Sequence, residues 1–371
     1  MTTSPPATLP TARPAGCPFD PPAELGRLRE QQPLSPLAYP DGHVGWLATS
    51  HALVRAVLSD PRFSARAELA HNPIPGATTT TATAPTAAPP GMLPYADRSG
   101  FQQHSNTLLS LDRPAEYKIA AYTELTRFMT ELVRVKRRTP ADDVLSDLAA
   151  TGLDDEELAN IGFMLLVAGH ETTANMLSLG TFALLQHPDQ LAALRSDPAA
   201  TVEELLRHLS VVPLTVRVAL EDVELGGQVV RAGETVTVSL SAANRDPAHL
   251  AAPERLDAEH PPNGHLAFGH GIHQCLGQQL ARIEMQVGFP ALFDRFPNLR
   301  LASTRTAAAA PGCACSPRRM CSTRTRTTAG CCCSTRNRRR TRKKPCARRR
   351  SCARRQRSRC PDPVASADAR A

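Results

Sequence analysis

Read for the spacing of its apolar positions, the chain is helical over most of its length before residue 304. The stretch 44-VGWLAT-49 alternates as a short strand does. Ser50 then stands as N-cap for a helix carrying Leu53, Val54, Val57 and Leu58 on one face, and Pro61 stops it. Residues 76-GATTTTATAPTAAPPG-91 have no apolar period and predict a low-complexity loop. Helical spacing appears over 119–135 and again over 155–195, where Leu158, Ile161, Met164, Leu165, Ala168, Thr172, Asn175, Met176 and Leu179 step by three and four. A further helix is predicted over 201-TVEELLRHLS-210. The period then falls to two in 216-VRVAL-220, 228-QVV-230 and 235-TVTVSL-240, punctuated by Gly226-Gly227 and Ala232-Gly233. A long loop, 244–264, leads to a last helix from about Leu276 to Phe293. Many helices, a few short strands and one long loop predict a mostly α, α+β domain with small β-sheets.

Charge divides the chain. Residues 304–371 hold 20 Lys and Arg against 2 Asp and Glu, and since the whole chain is +8, the first 303 residues are net −10. The same segment contains no Leu, Ile, Phe, Tyr or Trp. It cannot bury enough apolar surface to offset chain entropy, so disorder is expected there. Its abrupt onset is what a GC-rich reading frame translated out of register produces; an ordinary sequence restored by a single-base shift in the gene would bear that out. The tail also takes nine of the eleven cysteines, leaving Cys17 and Cys275. So few thiols in the body fit a reduced, cytoplasmic protein. The longest apolar run, 161-IGFMLLVAG-169, falls far short of the ~20 residues that span a bilayer. The start, MTTSPPATLPTARPAG, lacks the basic-then-apolar order of a secretory signal. The expected organisation is a Pro-rich lead over 1–16, a body over 17–303 and the tail over 304–371.

Candidate chemistry gathers at 268-FGHGIHQCLG-277. An arbitrary cysteine is most often a small buried hydrophobe. Cys275, however, stands just before a helical pattern whose free first-turn N–H groups favour thiolate. Gly269, Gly271 and Gly277 let the backbone turn sharply and approach something flat, and His270 and His273 offer donors to an anion. Zinc is the competing reading, because His260, His265, His270, His273 and Cys275 are all ligand types, yet their spacing matches no usual paired pattern. Likewise 170-HETTA-174 lacks the second histidine that a zinc-protease helix carries at 174.

Taken together, Phe268, Gly271, His273, Cys275, Gly277 and Ala281 resemble the heme-binding signature of the cytochrome P-450 superfamily, in its soluble bacterial form. In chain order, 168-AGHETT-173 resembles the family's oxygen-activating helix, 204-ELLR-207 its Glu-x-x-Arg motif, and 253-PERL-256 the Arg-bearing loop that completes that network; 244-NRDP-247 agrees as well. The resemblance covers roughly 17–117 and 125–302. It implies the cytochrome P-450 fold and a heme b whose iron takes Cys275 as axial thiolate, a ligand that favours O–O cleavage. It further implies Phe268 packed beside the sulfur, Gly269 and Gly277 admitting the porphyrin, His273 and Arg217 on the heme propionates, and Ala281 among the cofactor-binding residues. Ala168 and Gly169 would open a gap for O2 in the long helix, and Glu171 and Thr172 would relay protons. Glu204, Arg207 and Arg255 would form a structural network. For each of these taken alone, ordinary packing or a solvated pair is the commoner role.

The pattern also breaks. After 110-SLDRPAEY-117 the family continues into an Arg-rich helix, but here Lys118-Ile119-Ala120-Ala121 follows, without the second propionate partner. An internal segment is expected to be missing near 118–124, with several helices that roof the substrate pocket. The resemblance stops near 296-FPNLRLAS-303. The leading expectation is a monooxygenase that hydroxylates or epoxidises a small organic substrate with O2, fed by a separate ferredoxin with its reductase or by a flavoprotein, monomeric by default. A degenerate, catalytically impaired relative is the alternative. A nucleic-acid role for runs such as 336-RNRRRTRKK-344 is disfavoured, because no aromatic is present to stack a base.

Overall fold

The computed structural model describes residues 6–14, 19–75, 98–110, 113–259 and 264–301. These lie in a compact unit spanning Met1–Ser303; the tail from Thr304 and the loop expected at 76–91 lie outside the described residues. In chain order the elements are β1 (Ala7–Thr8), α1 (Ala23–Gln31), β2 (Leu34–Ala38), β3 (Val44–Ala48), α2 (His51–Ser59), β4 (Phe63–Ser64), α3 (Arg98–Leu109), α4 (Ala115–Arg138) and α5 (Val144–Ala149). They continue with α6 (Asp155–Gln186), α7 (Pro188–Ser196), α8 (Pro198–Leu209), β5 (Leu214–Ala219), β6 (Val223–Leu225), β7 (Gln228–Val230), β8 (Thr235–Ser239), α9 (Leu240–Ala243) and α10 (Gln278–Arg295). The mostly helical α+β class is what the spacing predicts.

Six strands form one sheet in the order β1-β2-β3-β8-β5-β4, and β6 and β7 pair as a hairpin. That hairpin turns at Gly226 (φ +57°) and Gly227 (φ +75°), where L side chains are strained and glycine is not. β2 escapes sequence reading because Pro36 sits within it, and a proline normally argues against a strand. The continuous pattern over 155–195 is in fact two helices. α6 ends at Gln186 and α7 begins at Pro188, since the residue before a proline is pushed out of the helical region. α2 begins as expected, with the Leu53 N–H donating to Ser50 Oγ at 3.4 Å. α6 begins with a full capping box, Asp154 and Glu157 each bonding the other's main-chain N–H.

One apolar core lies between α2 and the sheet, around Val54, Val57, Val236 and Val238. A second joins α6, α7, α8 and α10 around Leu184, Leu205, Met285 and Phe289. A Cβ on Gly180 would lie 2.4 Å from the Phe289 ring, so that glycine lets α10 close on α6. A third core ties α4 to α6, with Met129 Cε seated over Gly162. α4 is continuous through residues 118–124, and its buried positions Lys118, Ala121, Leu125, Met129 and Val133 stay on one face throughout.

Candidate active site

The cysteine loop is built by main-chain bonds. Gly269 N–H donates to Leu266 O (2.9 Å), Gln274 N–H to Gly271 O (3.0 Å) and Cys275 N–H to Phe268 O (2.9 Å), and the last closes the loop on itself. Gly269 (φ +70°) and Gly271 (φ +77°) both lie in the left-handed region. Gly271 is doubly required, because a Cβ there would come within 2.3 Å of Leu58 O. Gly277 differs: it is the residue before α10, its φ is −80°, and open space surrounds its missing Cβ. Cys275 is exposed, two residues before Gly277 and three before the start of α10.

Phe268 is held from two sides. Arg282 on α10 stacks over its ring at 4.6 Å, and the same guanidinium bonds Glu203 on α8 at 2.6 and 3.1 Å. His265 Nε2 lies 3.0 Å from Glu203 Oε2. Burial alone would raise the Glu203 pKa, but the bonds from His265 and Arg282 outweigh it and hold the carboxyl at about 2. No spacing rule points to this Glu203–His265–Arg282 clamp, since its members come from three distant parts of the chain.

On the opposite side, Thr172 Oγ1 donates to the Ala168 carbonyl at 2.7 Å. The gap in the long helix implied for Ala168 and Gly169 is not formed; α6 is continuous from Asp155 to Gln186. What the small residues leave instead is bare surface, with nothing within 4 Å of a Cβ on Gly169. Thr172, Thr173 and Met176 meet Ala267, Phe268, Ala281 and Met285 across a cleft of about 40 Å³. Thus residues from both implied faces of the cofactor line one space. Ligand sites usually offer about 300–1,000 Å³, so the walls must part to admit a macrocycle. A larger cavity, about 390 Å³, adjoins His273 and Ile272 and is walled by Leu58–Pro61, Phe63–Arg66 and Leu220.

Arg217, on β5, is 7% exposed. Its guanidinium bonds only neighbours on its own strand, Thr215 Oγ1 at 3.4 Å and Val216 O at 2.8 Å, with no carboxylate within reach among the described residues. Burial pushes its pKa below the usual arginine value. A buried cation without an anion is costly. The donor set therefore fits an anionic cofactor edge: a thiol on a glycine-shaped loop, a histidine in the turn just before it, and an unmatched guanidinium. As the sequence reading expects, residues 118–121 at the start of α4 supply no arginine as a second partner.

The structural network departs from expectation at one member. Arg207 spends its donors on Glu204 (2.8 and 2.7 Å), Asn244 O, Pro253 O and Arg255 O. Arg255 joins through its carbonyl; its side chain is 70% exposed and lies 3.7 Å from Asp257. Beside it, Arg245 is buried and bonds Glu254 (2.6 Å), His208 O (3.0 Å) and Asp20 (3.4 Å). Among the described residues, no cluster of His, Cys, Asp and Glu is placed to hold a metal by itself; His260 lies outside them. No helix among them is long and apolar enough to cross a membrane.

A helical domain with a cysteine loop abutting one long helix, facing a second across a cleft, is the architecture of a heme-thiolate protein. The cytochrome P-450 family profile matches residues 199–304. Cytochrome P-450 105C1 of a Streptomyces species is 44% identical, covering 81% of this chain and 94% of that protein. Pentalenic acid synthase of Streptomyces avermitilis is 38% identical over 77% of this chain and 90% of its own. The crystal structure of CYP105P1 in complex with filipin I superposes with a TM-score of 0.71 at 34% identity, over 80% of this chain and 93% of that one. The chain belongs to the cytochrome P-450 family, among its bacterial CYP105 relatives. It is a monooxygenase of that family, and membership implies a heme-thiolate cofactor, O2, an organic substrate and an electron donor.

The alignment with cytochrome P-450 105C1 runs over 359 positions but takes up 81% of this chain's 371 residues, about 300, so roughly 60 positions of the relative face no residue here.

Proposed function

We propose that Cys275 is the axial ligand of heme b in a cytoplasmic, secondary-metabolite monooxygenase that draws electrons from a separate ferredoxin and ferredoxin reductase. The observation that carries this is the unmatched, buried Arg217 together with the glycine-shaped Cys275 loop. Bound there, the heme supplies O2 activation at a thiolate-ligated iron. The protein's part is positional and protonic. Arg217 and His273 hold the propionates, Ala281 and Gly277 leave room beside the ring, and Phe268, fixed by Arg282, keeps water from the sulfur. Ala168 and Gly169 keep the facing surface low. Thr172 now rests its hydroxyl proton on Ala168 O. In the proposed role it turns and donates that proton into the cleft, and the half-buried Glu171 resupplies it. Glu204 and Arg207 stiffen α8 against the 244–255 loop and take no part in the chemistry.

A second reading concerns retention. Residues 118–121 supply no arginine for a second propionate, and the roughly 60 unmatched alignment positions agree with a segment missing near 118–124. This supports a body over 17–303 with an incomplete roof, and so a weakly held heme.

Heme titration of the full chain, followed by reduction under CO, tests both. A thiolate-type Soret band that vanishes in Cys275→Ser is expected, with the heme passing readily to apomyoglobin. A band unchanged in Cys275→Ser would refute the ligand assignment. A band that survives the apomyoglobin challenge would refute weak retention.

A further inference from the structure

The outer face of α10 is apolar where a surface helix is normally polar. Leu276, just before the helix, is 88% exposed, Leu280 63%, Ile283 57% and Val287 63%. Their spacing of four, three and four is the seam of a helix that packs lengthwise on another helix. It runs about 17 Å at 1.5 Å per residue. Contiguous bare hydrophobes of this kind mark an interaction surface.

The rest of the chain cannot supply the partner helix. Outside the described residues the large apolar side chains are few, and residues 304–371 contain no Leu, Ile, Phe, Tyr or Trp at all. A second copy of the chain offers an identical seam. Charge then selects the direction. A two-fold, antiparallel pairing centred between Leu280 and Ile283 sets Leu280 against Ile283, Leu276 against Val287, and Glu284 against Gln279, a hydrogen-bonding match made twice. Parallel pairing sets Glu284 against Glu284, two like charges.

We propose that the chain self-associates through this seam as a two-fold antiparallel α10–α10 dimer, in place of the default monomer. One seam is smaller than the ~800 Å² per partner of a standard interface, so association is weak and concentration-dependent.

Sedimentation velocity of the full chain under reducing conditions, from about 1 to about 200 µM, reads this directly. The thiols stay reduced so that disulfides contribute nothing. The expected result is a monomer at the low end and a growing dimer at the high end, within the weak range of transient contacts. The Ile283→Gln, Val287→Gln double variant, altering exposed side chains alone, should leave far-UV circular dichroism unchanged and the chain monomeric throughout. Gln279→Lys should tighten the dimer about 2–30-fold by adding two exposed ion pairs to Glu284. A single monomer mass at 200 µM, association undiminished in the double variant, or weakening by Gln279→Lys would each overturn the proposal.

Discussion

Removing the Glu204 carboxylate should cost far more than removing the Arg255 guanidinium. Glu204 and Arg207 are each 2% exposed, and Glu204 meets Arg207 through both oxygens while Oε1 also accepts the Asp257 N–H at 2.8 Å. Glu204→Ala leaves a guanidinium charge buried with three carbonyls for company. Breaking a buried pair in this way costs about 3–5 kcal/mol, a large share of the ~5–15 kcal/mol that a domain possesses. With a urea slope near ~3 kcal/mol/M, the midpoint should fall by about 1–1.7 M. Arg255 enters the network through its carbonyl, which any side chain keeps, and its own side chain is largely solvated. Arg255→Ala should therefore stay within about 0.5 kcal/mol, a shift under ~0.2 M. Urea melts followed by far-UV circular dichroism compare the two. Equal losses would show that the Arg255 guanidinium, and not its carbonyl, is the working member.

The remaining expectations concern pH and the cysteine loop. Burial first, then Arg245 and Arg207, push the His208 pKa down to about 2, so the fold holds it neutral while the unfolded chain protonates it near 6.5. Its stabilisation is complete above pH 6.5 and drains away as pH falls towards 2, at about 1.4 kcal/mol per pH unit. His208→Gln should flatten, without abolishing, the loss between pH 6.5 and 4.5, since His43, His51 and His270 are depressed too; an unchanged slope would count against it. Glu203, held near 2 against an ordinary 4.5, adds stability that is full above 4.5 and lost between 4.5 and 2. Because it is partly solvated its share is about 1–2 kcal/mol, and Glu203→Gln should remove that acid limb. Gly271→Ala should disrupt the loop, by about 1–2 kcal/mol of left-handed strain plus the clash with Leu58 O, whereas Gly277→Ala should be nearly neutral; thermal melts that rank them the other way would refute the steric account.

How much of this was legible before any coordinates depended on the range of the interaction. α6 and α10 are long and rich in apolar residues, α8 keeps one apolar face, and the Cys275 loop is local, with its turns set by glycines a few residues away. The β6–β7 turn announces itself through Gly226-Gly227. By contrast, β2 hides behind Pro36, and α3, 98-RSGFQQHSNTLL-109, is too polar to show a face. The Glu203–His265–Arg282 clamp joins residues 62 and 79 positions apart, and Arg245 finds Asp20 across 225, separations at which spacing says nothing. Arg255 departs from expectation for another reason. A resemblance transfers a residue type, but the contact here is made by a backbone atom that every residue type possesses.

The unbroken α4 has a consequence for anyone who would lengthen this protein. Its inward positions keep step from Lys118 to Val133, so the two flanks of the helix already share one rotational phase. A loop spliced in beside Ala121 must hand the chain back at the same azimuth. Otherwise Leu125, Met129 and Val133 would swing out from under Gly162, and α4 would lose its grip on α6.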